Sequence, residues 1–188
     1  MSCQRKNAAV NRGFGGDTLN TSVYIARQTD ASELAVHYVT ALGTDAFSQQ
    51  MLESWQAEEV KTDLIQRMAD RLPGLYYIET DDDTGERTFL LLAQRSGSKI
   101  LAGERAVCAI CEELATFDYL YLSGISLAIL SPQSREKLLT LLCECRANGG
   151  QVIFDNNYRP RLWASKEETQ AGLSANADLH RYRLPDAG

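Results

Sequence analysis

A chain of 188 residues with 44% hydrophobic and 23% charged side chains is long enough for one domain with a real core and has the make-up of a soluble globular protein. Nineteen Lys and Arg against 25 Asp and Glu leave a net charge of −6, which argues against nucleic acid or an anionic membrane as a partner. No apolar run reaches the eighteen residues a membrane span needs, Met1–Asn11 has no apolar segment of signal type, and the chain is expected to stay in the cytoplasm.

The first expected element is Gly13–Ser22, a glycine-rich turn running into a helix. Asp17 or Thr18 is expected to cap that helix, and Leu19, Val23 and Ala26 fall on one face of it. Amide groups, a carboxylate, a hydroxyl and a carboxamide converge at its start, a mixture suited to a small polyhydroxylated molecule. The spacing is neither that of a phosphate loop, which needs a following Lys, nor that of a dinucleotide turn, which needs a third Gly. The plain alternative is a Gly-rich turn before an ordinary helix.

Val36–Gly43 reads as a strand buried on both faces, with His37 packed inside it. Asp45 is expected to cap a helix whose inward stripe is Phe47, Met51 and Trp55. Val60–Ile65 reads as a mixed strand. Gly74–Thr80 and a return strand from Glu86 form a hairpin around Asp81–Gly85, a turn without the alternate-residue spacing of a calcium loop. Ala102–Phe117 reads as helix and Asp118–Gly124 as strand. Ser131-Pro132 opens a helix with a buried stripe of Leu138, Leu141, Leu142 and Cys145, which Gly149-Gly150 ends. A buried strand from Val152 stops at Asp155, before a polar run to Trp163. Alternating strands and helices predict an α/β fold with a largely parallel sheet, whose ligands gather at the carboxyl ends of strands. The five cysteines suit a reducing compartment. Cys108-x-x-Cys111 and Cys143-x-Cys145 fall on predicted helices, and with only His37 and His180 elsewhere no metal-ligand spacing emerges.

Gly15-Gly16-Asp17-Thr18-Leu19-Asn20, followed by Thr21 and Ser22, resembles the first signature of the ribokinase-like (PfkB) carbohydrate kinases. Gly43–Phe47 resembles that family's Gly-x-Asp-x-Phe turn, and Asp155–Trp163 its Asp-x-Asn-x-Arg-x-x-Leu-Trp segment. The resemblance implies a ribokinase-like α/β fold, a central mostly parallel sheet flanked by helices with a small β lid from strands about 60–90. It implies sugar contacts from Gly15, Gly16, Asp17, Thr18, Leu19, Asn20, Tyr76 and Arg159. Asn157, Tyr158 and Arg159 would lie near the phosphates of ATP, with Arg159 pairing a carboxylate or phosphoryl group. The implied reaction is phosphorylation of 2-dehydro-3-deoxy-D-gluconate (KDG) by ATP with Mg2+, and lid strands would pair between subunits in a homo-oligomer.

The chain also departs from that pattern. Met1–Arg12 shows no opening strand, and no Asp-Thr-x-x-Ala-Gly-Asp segment, where the family carries its base and anion hole, follows Trp163. Residues 1–188 are therefore expected to form a truncated kinase domain with no catalytic residue of its own and little or no kinase activity. Leu90–Ser96 stands where relatives carry an aromatic run and an Arg. In the atypical tail, residues 171–188, Gly172 and weak helix formers are expected to break the helix after Gln170. Shifts of reading frame near residues 90 and 170 would account for both stretches. Two other readings remain: a non-catalytic sugar-binding or subunit-association remnant, and a chain whose uncovered apolar faces prevent folding.

Overall fold

The computed structural model describes residues 12–69, 72–74, 76–80, 84, 86–91, 106–177 and 182–184. In chain order the elements are α1 (Asp17–Gln28), β1 (Ala41–Gly43), α2 (Ala46–Ala57), β2 (Gln66–Met68), β3 (Tyr76–Thr80), β4 (Arg87–Leu91) and α3 (Ala106–Leu114). There follow β5 (Tyr119–Ser123), α4 (Gly124–Ile129), α5 (Pro132–Ala147), β6 (Gln151–Asp155), a 3-10 turn at Pro160–Leu162, α6 (Lys166–Ala177) and β7 (Tyr182–Leu184). The expected opening segment, the Asp81–Asp83 part of the turn and the unusual stretch beyond Leu91 up to residue 105 lie outside the described residues. Among the described residues no helix is long and apolar enough to cross a membrane.

The strands pair as β1-β2 and β5-β6-β7, both parallel, and as the antiparallel hairpin β3-β4. The α/β expectation is met, with helices covering parallel strands and a separate hairpin where the lid was expected. β2, at the start of that region, joins β1 instead. A first core cluster holds Leu19 and Ala26 of α1, Leu42 of β1, and Leu52 and Trp55 of α2. A second holds Leu122 and Phe154 of neighbouring strands with Leu127, Leu142 and Trp163. A third, with Leu64, Leu114 and Leu141, lies against Leu120 and Leu138, which also pack on the second.

Several expected helix ends appear as local chemistry dictates. Asp45 caps α2 through the amides of Phe47 and Ser48, and Ser131 caps α5 with Pro132 at its first position. Gly149, at φ 99°, takes the left-handed turn after α5 that a side chain would strain. Cys145 is fully buried and donates to the Phe117 carbonyl at 3.4 Å, while Cys143 is exposed.

Five expectations need correction. Among the described residues the strand expected over Val36–Gly43 pairs only at Ala41–Gly43 and at an isolated His37–Lys61 bridge, and the one expected over Val60–Ile65 begins at Gln66. A turn closed by the Ile65 amide on the Thr62 carbonyl puts one more residue on the second strand than on the first, a bulge that interrupts the ladder. His37 packs edge-on against Phe117, ring centroids 5.0 Å apart. The buried stripe of α2 is Ser48, Leu52 and Trp55, with Met51 partly covered. Phe47 is 56% exposed, because the Asp45 cap, which also accepts from Ser48 Oγ at 2.6 Å, turns Ser48 inward.

The cap of α1 is Gly16, without a side-chain hydrogen bond, and not Asp17 or Thr18. The break expected after Gln170 is absent, since α6 runs unbroken to Ala177. A Cβ at Gly172 would lie 2.8 Å from the Trp163 ring, so the glycine's small size seats that ring against the helix and packing overrides propensity.

Arg135 joins α4, α5 and α6. Its Nε donates to the Leu127 carbonyl at 2.7 Å, its Nη1 to Glu168 Oε1 at 2.7 Å, and its guanidinium carbon lies 4.8 Å from the Trp163 ring centroid. The hydrogen bond from Arg135, then that from the Ala164 amide, holds the Glu168 carboxyl below the usual carboxylate range. A depressed carboxyl stabilises the fold above its unfolded value and loses that contribution as pH falls through the folded one. Glu168→Gln is expected to flatten the acid limb of stability against pH while leaving its neutral limb near parallel, as urea unfolding at stepped pH will show.

Candidate functional site

Parallel strands with helical crossovers leave a crevice at their carboxyl ends, and polar residues gather there in this chain. β5 and β6 end side by side, with Ser123 in register with Asp155. Ser123 is fully buried. Its Oγ accepts from the Ile125 amide at 3.2 Å, capping α4, and donates to Asp17 Oδ2 at 2.6 Å. Asn157 Nδ2 donates to the same oxygen at 3.0 Å. The first residue of α1 is thus tied to the ends of both strands.

The loop after β6 is held as firmly. Asp155 Oδ1 accepts from the Asn157 amide at 3.1 Å, and its Oδ2 from the Tyr121 hydroxyl at 3.4 Å. Asn157 sits at φ 31°, a region that asparagine enters more readily than most side chains. At Gly124 a Cβ would stand 2.0 Å from the Asn156 carbonyl oxygen, so only glycine lets α4 start against this loop. Burial first, and then the nearby Asp155 and Asp17 carboxylates, push the Tyr121 phenol above its usual value, so it remains a donor.

The structure brings together some of the expected site residues and diverts others. Gly15 and Gly16 lead into α1, Gly16 in extended backbone, and the helix has no side-chain cap. Thr18 Oγ1 shares a hydrogen bond with Tyr38 OH at 3.2 Å. Leu19 is 3% exposed in the first core cluster, which leaves only its backbone for a ligand. Asn20 is exposed and, with Thr21, Tyr24, Ile25 and Gln28, lines a groove of about 340 Å³ along α1. Tyr76 opens β3 opposite Leu91, placed by register alone.

Arg159 and Tyr158 are exposed just past β6, and among the described residues Arg159 makes no ion pair. The side-chain amide of Asn157, expected near phosphates, faces Asp17. Tyr121 and Ser123 of β5 are site residues that the sequence reading did not assign; the strand pattern carried no signal for Tyr121, and for Ser123 only its place at the strand's carboxyl end.

The sequence matches the model of the pfkB family carbohydrate kinases over residues 2–181, and the chain belongs to that family. It is 73% identical over 170 residues to the 2-dehydro-3-deoxygluconokinase of Escherichia coli K12, covering 90% of this chain and 55% of that protein. The enzyme of the same name from Dickeya dadantii is 62% identical over 174 residues, covering 93% and 56%. Among solved structures, the 2-dehydro-3-deoxygluconokinase of Thermotoga maritima superposes with a TM-score of 0.76 at 22% identity, covering 90% of this chain and 49% of that one. A fructokinase of Xylella fastidiosa with bound ATP superposes with a TM-score of 0.71 at 25% identity, covering 90% and 49%. The ribokinase-like fold is thereby shown, and the chain spans about half the length of the curated relatives it matches.

Gly124→Ala is expected to drive its methyl into the Asn156 carbonyl and to cost about 1–3 kcal/mol of stability as the β6 loop shifts. Denaturant unfolding beside the unaltered chain measures it.

Proposed function

We propose that these 188 residues form the sugar-binding wall of a KDG kinase, the whole protein transferring a phosphoryl group from ATP to KDG to give 2-dehydro-3-deoxy-6-phospho-D-gluconate in the cytoplasm. The observation that carries this reading is the Asp17 carboxylate, fixed by Ser123 and Asn157 at the carboxyl ends of β5 and β6, with the exposed cation of Arg159 in the loop beyond. A carboxylate accepts sugar hydroxyls. A guanidinium offers a planar fork of donors to the sugar acid's own carboxylate. The amides of the first turn of α1, beside Gly15 and Gly16, add donors that no capping side chain takes among the described residues.

Phosphoryl transfer needs a base for the attacking hydroxyl and donors around the moving phosphoryl group. The Asp-Thr-x-x-Ala-Gly-Asp segment that serves the family there does not occur in these 188 residues. Tyr158 and Arg159, exposed past β6, are the groups that would meet the phosphates of ATP. Both oxygens of Asp155 and one of Asp17 already accept from protein donors. Magnesium would therefore come held chiefly by the phosphates.

A second reading, subunit association, is favoured by the β3-β4 hairpin, where Ile78 is 41% exposed and, among the described residues, the sheet has only two strands. Such edges invite a further strand. Light scattering after gel filtration is expected to show a dimer, and Ile78→Lys to shift it toward monomer; a monodisperse monomer at all concentrations sinks the idea.

For the sugar site, calorimetry of KDG into the 188-residue chain is expected to show binding without ATP, weakened roughly tenfold or more by Arg159→Ala. Coupled ATP turnover is expected to stay at background. A folded chain that ignores KDG overturns the reading.

A further inference from the structure

Nothing within α1 holds the Asp17 carboxylate. Its cap is a glycine, and the side-chain donors to its Oδ2 come from Ser123 and Asn157, 106 and 140 positions away. Both converge on Oδ2, at 2.6 and 3.0 Å, and among the described residues no donor reaches Oδ1. Resting on the sugar-site reading above, we propose that Ser123 and Asn157 are positioning residues that turn Asp17 so that Oδ1 alone meets the sugar, and that Asn157 couples this acceptor to the Arg159 loop.

The chemistry leaves each donor little choice. The Ser123 hydroxyl accepts from the Ile125 amide, so its own hydrogen is directed at Asp17. A carboxylate can only accept, so the Asn157 side chain must present its NH2. Asn157 is itself pinned by its backbone amide on Asp155, which Tyr121 steadies from the strand beside it. Arg159 follows two residues later, at the start of the Pro160–Leu162 turn. An incoming hydroxyl therefore meets an acceptor whose second oxygen is already satisfied. Any displacement of Asn157 moves both ends of the site together. Preorganisation of this kind raises affinity by lowering the cost of ordering on binding.

The test is a reciprocal exchange across the Asp17–Asn157 pair, made in the 188-residue chain and read as KDG affinity by calorimetry. Asn157 is part-exposed, so its variants are expected to keep the fold, which thermal melting checks. Asn157→Asp sets two carboxylates against each other and is expected to weaken KDG tenfold or more, beyond the loss in Asn157→Ala. The double variant Asp17→Asn with Asn157→Asp relieves that repulsion and leaves an amide oxygen toward the sugar, and is expected to recover part of that loss, the Ser123 hydroxyl having lost its acceptor. A general loosening of the loop would not be repaired by a change on α1. If the unaltered chain binds KDG but Asn157→Asp binds it equally, or the double variant recovers nothing, the positioning role is wrong and the sugar site stands. If the unaltered chain binds no KDG, both fall together.

Discussion

One carboxylate oxygen connects most of this molecule. Asp17 Oδ2 takes a hydroxyl from the end of β5 and a carboxamide from the loop after β6, while its backbone begins the helix that packs on β1 and α2. Hydrogen bonds to an ionised acceptor are shorter and stronger than neutral ones, and a partly buried setting strengthens them further. Remove that oxygen and the first and second core clusters lose the polar link that aligns them at the crevice. The second and third clusters share Leu120 and Leu138, an apolar contact without the directionality of a hydrogen bond.

The crevice follows from this tie. Parallel strands end together because their crossover helices return the chain to the same side. Ser123 and Asp155 are thereby neighbours in register, although far apart in sequence. Gly124 permits the closest approach, α4 starting where any other residue would strike the Asn156 carbonyl. On the far side Arg135 closes α4, α5 and α6 around Trp163, so the loop carrying Arg159 hangs between two well-held ends. The crevice thus sets a fixed carboxylate, Asp17, near the exposed guanidinium-bearing loop of Arg159.

Much of this was legible in the residues. Asp45, Ser131-Pro132 and Gly149 act within a turn or so of themselves, and each does in the structure what its local chemistry dictates. The motifs at Gly15–Asn20 and Asp155–Trp163 carried the family, and the family match agrees with them. Errors fell where a cap, a packed ring or a partner strand overrides the spacing. Phe47 has the right spacing for a buried stripe, yet the cap turns Ser48 inward. Gly172 has the wrong propensity for helix, yet Trp163 needs its small face. The strand through Val36 is rich in apolar and β-branched residues, but a turn at Thr62–Ile65 in its partner interrupts the ladder.

By itself the sequence determined the alternation of strands and helices, the start of α2, both ends of α5, and that polar residues stand at the ends of strands. Those depend on side chains acting on backbone within a few residues, which spacing records. Which groups would meet Asp17 was left to the tertiary structure. Ser123 and Asn157 reach it only after β5 and β6 have paired in register and α1 has packed across them. A hydrogen bond is decided over a few tenths of an ångström, and no local pattern carries that information across more than a hundred residues.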